Sequence, residues 1–116
     1  MMPMKLPNRR KATIKREKLT NYLLSLTHEE GKSKAKFFRG LGFNEANIAE
    51  FEQALLKIGK SNEVLEVDKT SSVYVTKYVI DGLLTSPSGK LVKVRTVWGI
   101  KIGEEIPRLI SAYPSV

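Results

Sequence analysis

The sequence predicts an α+β domain in which three N-terminal helices pack on a twisted, mostly antiparallel sheet of three to four strands. Apolar residues recur at helical spacing up to about Gly59, and from Glu63 the period changes to two, with β-branched and aromatic residues dominating. A chain of 116 residues with 41% apolar side chains has the size of one domain with one core. We therefore expect a flexible basic arm at residues 1–13 and a single α+β domain at residues 14–116.

Positive charge is concentrated at the N-terminus. The net charge is +8, and residues 1–20 hold seven Lys and Arg against Glu17 alone. Because residues 1–13 contain Pro3 and Pro7 and no apolar period, we expect an extended, mobile arm that contributes little to the fold. Such an arm suits contact with nucleic acid or an acidic protein, and it equally suits a solvated tail.

The first two helices are expected before residue 43. The first runs from about residue 14 to residues 25–27, and its core side is Leu19, Tyr22, Leu23 and Leu26. The second has Ser33 as its N-cap and Gly42 at the position that ends it. Its buried stripe is Phe37, Phe38 and Leu41.

A third helix and the strands follow. Asn44 is the expected N-cap and Gly59 the expected stop of a helix whose apolar face is Ile48, Phe51, Leu55 and Ile58. The period of two then predicts strands near Val64–Val67, Ser72–Thr85, Leu91–Ile102 and Pro107–Tyr113.

The turn Ser86–Gly89 fixes the register of the two long strands. Pro87 suits a type I turn and Gly89 suits the left-handed position of a three-residue hairpin loop. This loop pairs Ile80 with Thr96 and Asp81 with Arg95. The expected core face is Tyr74, Tyr78, Ile80, Leu84, Val92, Val94, Trp98, Ile100 and Ile102.

A similar connection at residues 103–105 would place Trp98 opposite Ile110 and Arg95 opposite Tyr113. Asp81, Arg95 and Tyr113 would then form one polar row across three antiparallel strands.

Composition excludes several classes of site. The chain has no cysteine and one histidine, so neither a disulfide framework nor a zinc site of Cys and His ligands can be built. Carboxylates are not clustered on adjacent predicted strands, and we expect no metal and no cofactor. No apolar run is long enough to span a membrane, and no signal peptide is recognisable, so we expect a cytoplasmic protein.

The remaining residues suit cleavage of RNA without a metal ion. In that reaction the 2′-hydroxyl attacks the adjacent phosphate, so the protein must move two protons and stabilise an added negative charge. His28 is the only side chain whose ordinary pKa lies near neutrality. The candidate catalytic residues are His28, Lys34, Arg95 and Tyr113. The candidate substrate-binding residues are Lys77, Asp81, Lys93, Thr96 and Arg108, and Arg39 is a further cation.

Each candidate also has a structural explanation. His28 would serve as a surface or capping residue, and Arg95 beside Asp81 would form an ordinary cross-strand ion pair. On that interpretation the domain is a non-catalytic basic module that binds RNA or an acidic partner protein. A metal-dependent DNase is a third possibility.

The motif His28-x-x-Gly31-x-x-Lys34-Ala-x-Phe-Phe, followed by Asp81-Gly, Pro87-Ser-Gly, Val94-Arg-Thr-Val-Trp and Ala112-Tyr-Pro, resembles a bacterial domain family of unassigned function. Members of that family occur in toxin–antitoxin gene pairs and at the C-termini of polymorphic toxins. Helices followed by an antiparallel sheet also resemble the barnase, EndoU, colicin and RelE class of ribonucleases. The resemblance implies a toxin-like, metal-independent endoribonuclease that acts on RNA and is neutralised by a cognate antitoxin.

Overall fold

The computed structural model describes residues 4–115 and shows an α+β fold. The helical elements are α1 (Arg16–Lys18), which continues as a π-helical turn (Leu19–Leu23), then α2 (Lys32–Gly40) and α3 (Ile48–Ser61), with 3₁₀ turns at Arg9–Lys11 and Glu45–Asn47. The strands are β1 (Glu66–Asp68), β2 (Val75–Thr85), β3 (Leu91–Lys101) and β4 (Arg108–Pro114). They form an open antiparallel sheet in the order β1-β2-β3-β4. The predicted α+β class and antiparallel sheet are confirmed.

The first helix is shorter than its apolar spacing predicts. The Leu24 N–H donates to the Leu19 carbonyl at 2.8 Å, which closes a five-residue π-helical turn. After this wider turn Leu24 is fully buried, whereas Leu26 is 53% exposed. The expectation that Leu26 belongs to the core is therefore wrong.

The second helix starts one residue before its predicted cap. Gly31 occupies the N-cap position instead of Ser33. At the other end Gly42 has φ +107°, so the predicted left-handed residue after the helix is confirmed. Phe38 is fully buried, and Phe37 and Leu41 pack against the core from partly exposed positions.

The third helix is preceded by the predicted cap at Asn44. The Asn44 side chain accepts from the Ala46 N–H at 2.8 Å, and the Asn47 side chain accepts from the Asn44 N–H at 2.8 Å. The helix continues to Ser61 rather than stopping at Gly59. Gly59 instead lies against the indole of Trp98, where a Cβ atom would stand 2.7 Å from Cζ2. It is a packing residue that lets α3 approach β3.

The hairpin of β2 and β3 has the predicted register. Asp81 pairs with Arg95 and Ile80 with Thr96. Two predictions of core position are wrong, because Tyr74 is 76% and Ile102 69% exposed. Both lie just outside the ends of their strands, since β2 begins at Val75 and β3 ends at Lys101.

The pairing of β3 with β4 is confirmed at one end and wrong at the other. Arg95 faces Tyr113 as predicted, but a β-bulge at Val97/Trp98 places Trp98 opposite Leu109 instead of Ile110. Ile110 is the extra residue of the bulge. A bulge adds one unpaired residue and shifts every pair beyond it.

Residues 4–13 are part of the domain, which differs from the expectation of an extended arm. Leu6 is 1% exposed within the core. Thr13 adds to the edge of β4, since its N–H donates to the Pro107 carbonyl at 3.0 Å and its carbonyl accepts from the Leu109 N–H at 3.1 Å. Burial of an apolar side chain and edge pairing hold this basic segment on the sheet. Residues 1–3 lie outside the described residues.

Candidate active site at the edge of the sheet

The predicted polar row crosses the face of the sheet opposite α3, which we call the open face. The Arg95 guanidinium donates to both carboxylate oxygens of Asp81, at 2.7 and 3.1 Å, and the Ser115 hydroxyl donates to the same carboxylate at 2.7 Å. These hydrogen bonds, first of all the one from Arg95, lower the pKa of Asp81 although its burial acts in the opposite direction. Tyr113 faces Arg95 from β4 and completes the row.

Lys34 extends from α2 to this row. Its ammonium group donates to the Tyr22 hydroxyl, and its Nζ lies 4.7 Å from the centroid of the Tyr22 ring. The same Nζ lies 5.8 Å from the centroid of the Tyr113 ring. Burial of Ala35 and Phe38 fixes α2 against the core and leaves Lys34 partly exposed at the edge of β4. The helical and sheet parts of the predicted site are thus brought together through Tyr113.

The phenol of Tyr22 lies between a buried environment and two lysines. Partial burial raises its pKa, but hydrogen bonds with Lys34 and Ser111 and the positive charges of Lys34 and Lys18 outweigh this effect, so the pKa is lowered below 10.0. The distance from the Tyr22 hydroxyl to the Ser111 Oγ is 3.1 Å, and the Lys18 Nζ lies 5.0 Å from the ring centroid. A cationic environment of this kind favours the phenolate form.

His28 caps the backbone N–H groups before α2, as its structural explanation predicted, and its ring also borders the site. Its Nδ1 accepts from the backbone N–H groups of Glu30 and Gly31, both at 3.1 Å. An accepting Nδ1 places the proton of the neutral ring on Nε2. The His28 ring is exposed and stands edge-on to the Tyr22 ring, with 5.0 Å between the centroids.

Two candidate residues lie away from this cluster. Thr96 is fully buried, donates to the Ile80 carbonyl at 2.8 Å and accepts from the Trp98 indole N–H at 2.8 Å. Its prediction as a substrate-binding residue is wrong, because it lies on the core face with Ile80. Arg39 pairs with Glu45 at 3.0 Å and secures the start of the third helical region instead of the site.

Three further basic candidates are spread over the open face. Lys77 pairs with Gly99, and Lys93 pairs with Leu83, so both share the face of Arg95 without contacting Lys34 or Tyr22 in the described part of the chain. Arg108 begins β4 and forms an ion pair with Glu104 at 3.2 Å. These three residues therefore give the open face a basic character outside the cluster.

Comparisons with known proteins assign the family. A protein-family model described as "Domain of unknown function (DUF6883)" matches residues 5–116. The chain belongs to this family. The DUF6883 domain also shares its fold with a chain of a solved structure, the contact-dependent growth inhibition toxin–immunity protein complex from Klebsiella pneumoniae 342. The TM-score is 0.68 at 14% identity, over 93% of this chain and 97% of that chain. No curated protein matches.

Sequence reasoning missed two polar residues of the candidate site. Tyr22 has the helical spacing of a core residue, so its hydroxyl was not expected to meet a lysine. Ser111 lies opposite Val97, as the predicted register requires, but its hydrogen bond with Tyr22 depends on how the first helical segment packs on β4, which the sequence did not reveal. The signal that existed was Lys34 in the first turn of a helix, where a cation is disfavoured by the helix dipole.

Residues 4–115 of the DUF6883 domain contain no group of three or more His, Cys, Asp or Glu side chains arranged to hold a metal ion. Over the same residues, no helix has the length and apolar character needed to cross a membrane.

Proposed function

We propose that this DUF6883 domain is a toxin-like endoribonuclease that cleaves RNA without a metal ion and is neutralised by a cognate protein. The supporting observation is the contact of Lys34 with Tyr22 at the edge of a basic sheet face. It joins a phenol of lowered pKa to a fixed cation, beside the only histidine and the row of Tyr113 and Arg95.

In the proposed reaction Tyr22 is the base and Lys34 is the acid. The phenolate of Tyr22 accepts the proton of the 2′-hydroxyl as the O2′–P bond forms. The P–O5′ bond breaks, and the leaving oxygen takes a proton from the Lys34 ammonium. Lys34 and Arg95 stabilise the negative charge that develops on the phosphorane, and the Nε2–H of His28 donates a hydrogen bond to a non-bridging oxygen.

A neutralising protein partner is supported by charge and by the fold. The net charge of +8 and the lysines of the open face favour an acidic protein that covers the same surface as RNA. A solved structure that shares this fold is a complex of a toxin with an immunity protein. We extend that arrangement, a toxin held by a cognate protein, to this domain as part of the proposal.

A second candidate function is favoured by a specific observation. The Nδ1 of His28 is engaged by backbone N–H groups, and Arg95 is engaged by Asp81. A site whose cations already have partners suits a module that binds RNA or an acidic protein without turnover.

Cleavage in the presence of EDTA tests the proposal. Purified protein should cut single-stranded RNA with EDTA present, and Lys34→Met should lower the rate by about 10²-fold or more, as expected for loss of an acid–base group. Lys36→Met is the matched control, because Lys36 is an exposed lysine of the same helix. RNA that stays intact at high enzyme concentration contradicts the proposal, and salt-dependent binding without cleavage supports the second candidate.

Two variants of His28 separate capping from chemistry. An Asn side chain can still accept the N–H bonds of residues 30 and 31, so His28→Asn keeps the cap and removes Nε2. Under the proposal both His28→Asn and His28→Ala lose activity, whereas only His28→Ala loses stability. Full activity of His28→Asn would restrict this residue to its structural role.

A further inference from the structure

A shallow cavity of about 210 Å³ opens on the sheet near the start of β4. Its floor is formed by Val75, Gly99 and Ile110, and its surface is mostly apolar. The volume is below the roughly 300–1,000 Å³ of pockets that hold drug-sized ligands, so it suits one small ring system.

The cavity is a product of the β-bulge. Ile110 is the extra residue between Leu109 and Ser111, which pair with Trp98 and Val97. Because Gly99 has no side chain, Ile110 and Val75 close over its backbone, where a Cβ atom would stand 2.5 Å from Ile110 Cδ1 and 2.9 Å from Val75 Cγ1. An apolar floor is thus built into an otherwise basic sheet face.

Four cationic side chains line the cavity around its apolar floor: Lys15, Lys18, Lys101 and Arg108. The pairing of Thr13 with β4 holds the segment that carries Lys15 and Lys18 beside the cavity. One carboxylate, that of Glu104, offsets this charge through its 3.2 Å ion pair with Arg108. The rim remains strongly cationic and complements a phosphate.

Lys18 connects the cavity to the Lys34–Tyr22 pair. Lys18 lines the cavity, and its Nζ lies 5.0 Å from the centroid of the Tyr22 ring. The Lys34 Nζ lies 4.7 Å from the same centroid. A phosphate held by Lys18 would therefore stand between a ring in the cavity and the reacting group at Tyr22.

From this geometry we infer that the cavity is a nucleotide subsite, which holds the base of one RNA residue on Val75, Gly99 and Ile110 and its phosphate on the surrounding cations. The inference rests on the proposed ribonuclease function for the identity of the ligand. An apolar floor with a cationic rim recognises a base and a phosphate together, which neither an inorganic anion nor an apolar peptide side chain would satisfy.

Binding of ribonucleoside 3′-monophosphates to the intact chain tests this inference. Amide NMR titrations with the four nucleotides should show their largest shifts at Gly99 and Ile110. The best nucleotide should bind about tenfold more tightly than inorganic phosphate or its own nucleoside, because only the nucleotide uses both floor and rim. Lys15→Met and Lys101→Met should each weaken binding several-fold, and Lys36→Met should not.

One variant and one further outcome keep the test independent of folding and of catalysis. Val75→Phe should fill the cavity and abolish the preference for nucleotide over phosphate, and its amide spectrum reports whether it folds. Phosphate that binds as tightly as the nucleotides, or shifts that map away from Gly99 and Ile110, would overturn the subsite. Nucleotide binding at the cavity in a protein that leaves RNA intact would overturn the cleavage proposal alone.

Discussion

The hydrogen bond between Lys34 and Tyr22 is the central interaction of the candidate site at the scale of single residues. Burial opposes ionisation of the Tyr22 phenol, yet the ammonium group at its hydroxyl and the second cation, Lys18, reverse the balance. Charged hydrogen-bond donors of this kind are stronger than neutral ones. The Lys34 ammonium group therefore favours the phenolate form of Tyr22, and these are the acid and the base of the proposed reaction.

Titration of Tyr22 checks this balance. The tyrosinate absorbance that is lost in Tyr22→Phe should show Tyr22 ionising below its ordinary pKa of 10.0, and Lys34→Met should move that ionisation to higher pH. The pKa of Tyr22 is lower in the folded protein than in the unfolded chain, so ionisation of Tyr22 stabilises the fold. This contribution is fully present at a pH above the pKa of the unfolded chain, and it is lost as the pH falls through the pKa of the folded protein. A titration curve that is unchanged in Lys34→Met would contradict the assigned cause.

The residues of this site differ in how far the sequence reveals them. His28 and Arg95 are visible because one is unique and the other follows from a hairpin register. Tyr22 is not visible, because a single π-helical turn decides that its hydroxyl reaches Lys34 and Ser111. The prediction for Thr96 is wrong because Thr96 lies on the core face of β3, where its hydroxyl accepts a hydrogen bond from the buried indole N–H of Trp98.

At the scale of elements, the packing of α3 on β3 depends on one missing side chain. Gly59 lets the helix approach Trp98, whose indole is fully buried and held by Thr96. Overpacking at such a contact displaces buried atoms that have no free space.

Gly59→Ala should therefore lower the free energy of unfolding by about 1–3 kcal/mol, although Ala favours a helix by about 1 kcal/mol over Gly. Gly40→Ala is the matched control, because a Cβ at Gly40, also in a helix, would meet no atom within 4 Å. Urea denaturation should show Gly40→Ala unchanged or more stable. Equal effects of the two substitutions would refute the packing role of Gly59.

The elements were predictable where local chemistry decides them. The turn Ser86–Gly89 contains its own register signal, and the Asn44 cap contains its own hydrogen-bond acceptor. The bulge at Ile110 was not predictable, because it accompanies the close approach of Ile110 to Gly99 on another strand. Tertiary contacts of this kind leave no periodic signal in the sequence.

At the scale of the whole molecule, the basic N-terminal segment contributes both to the stability of the fold and to the positive charge around the cavity. It places Leu6 in the core, pairs Thr13 with β4 and brings Lys15 and Lys18 to the cavity. Composition predicted a mobile arm because Leu6 is an isolated apolar residue between Lys5 and Pro7, without any period. Burial of a single side chain is a tertiary effect that composition cannot show.

Leu6→Ala tests whether this segment belongs to the cooperative domain. Removing a fully buried leucine side chain should lower the free energy of unfolding by about 2–5 kcal/mol. Met4→Ala, at a position that is 43% exposed, is the control and should change it by less than about 0.5 kcal/mol. Urea denaturation followed by Trp98 fluorescence reports the whole core, because Trp98 lies in it far along the chain from Leu6. If Leu6→Ala were as stable as Met4→Ala, the segment would be a tail that only adds charge, and Lys15 and Lys18 would no longer be held at the cavity.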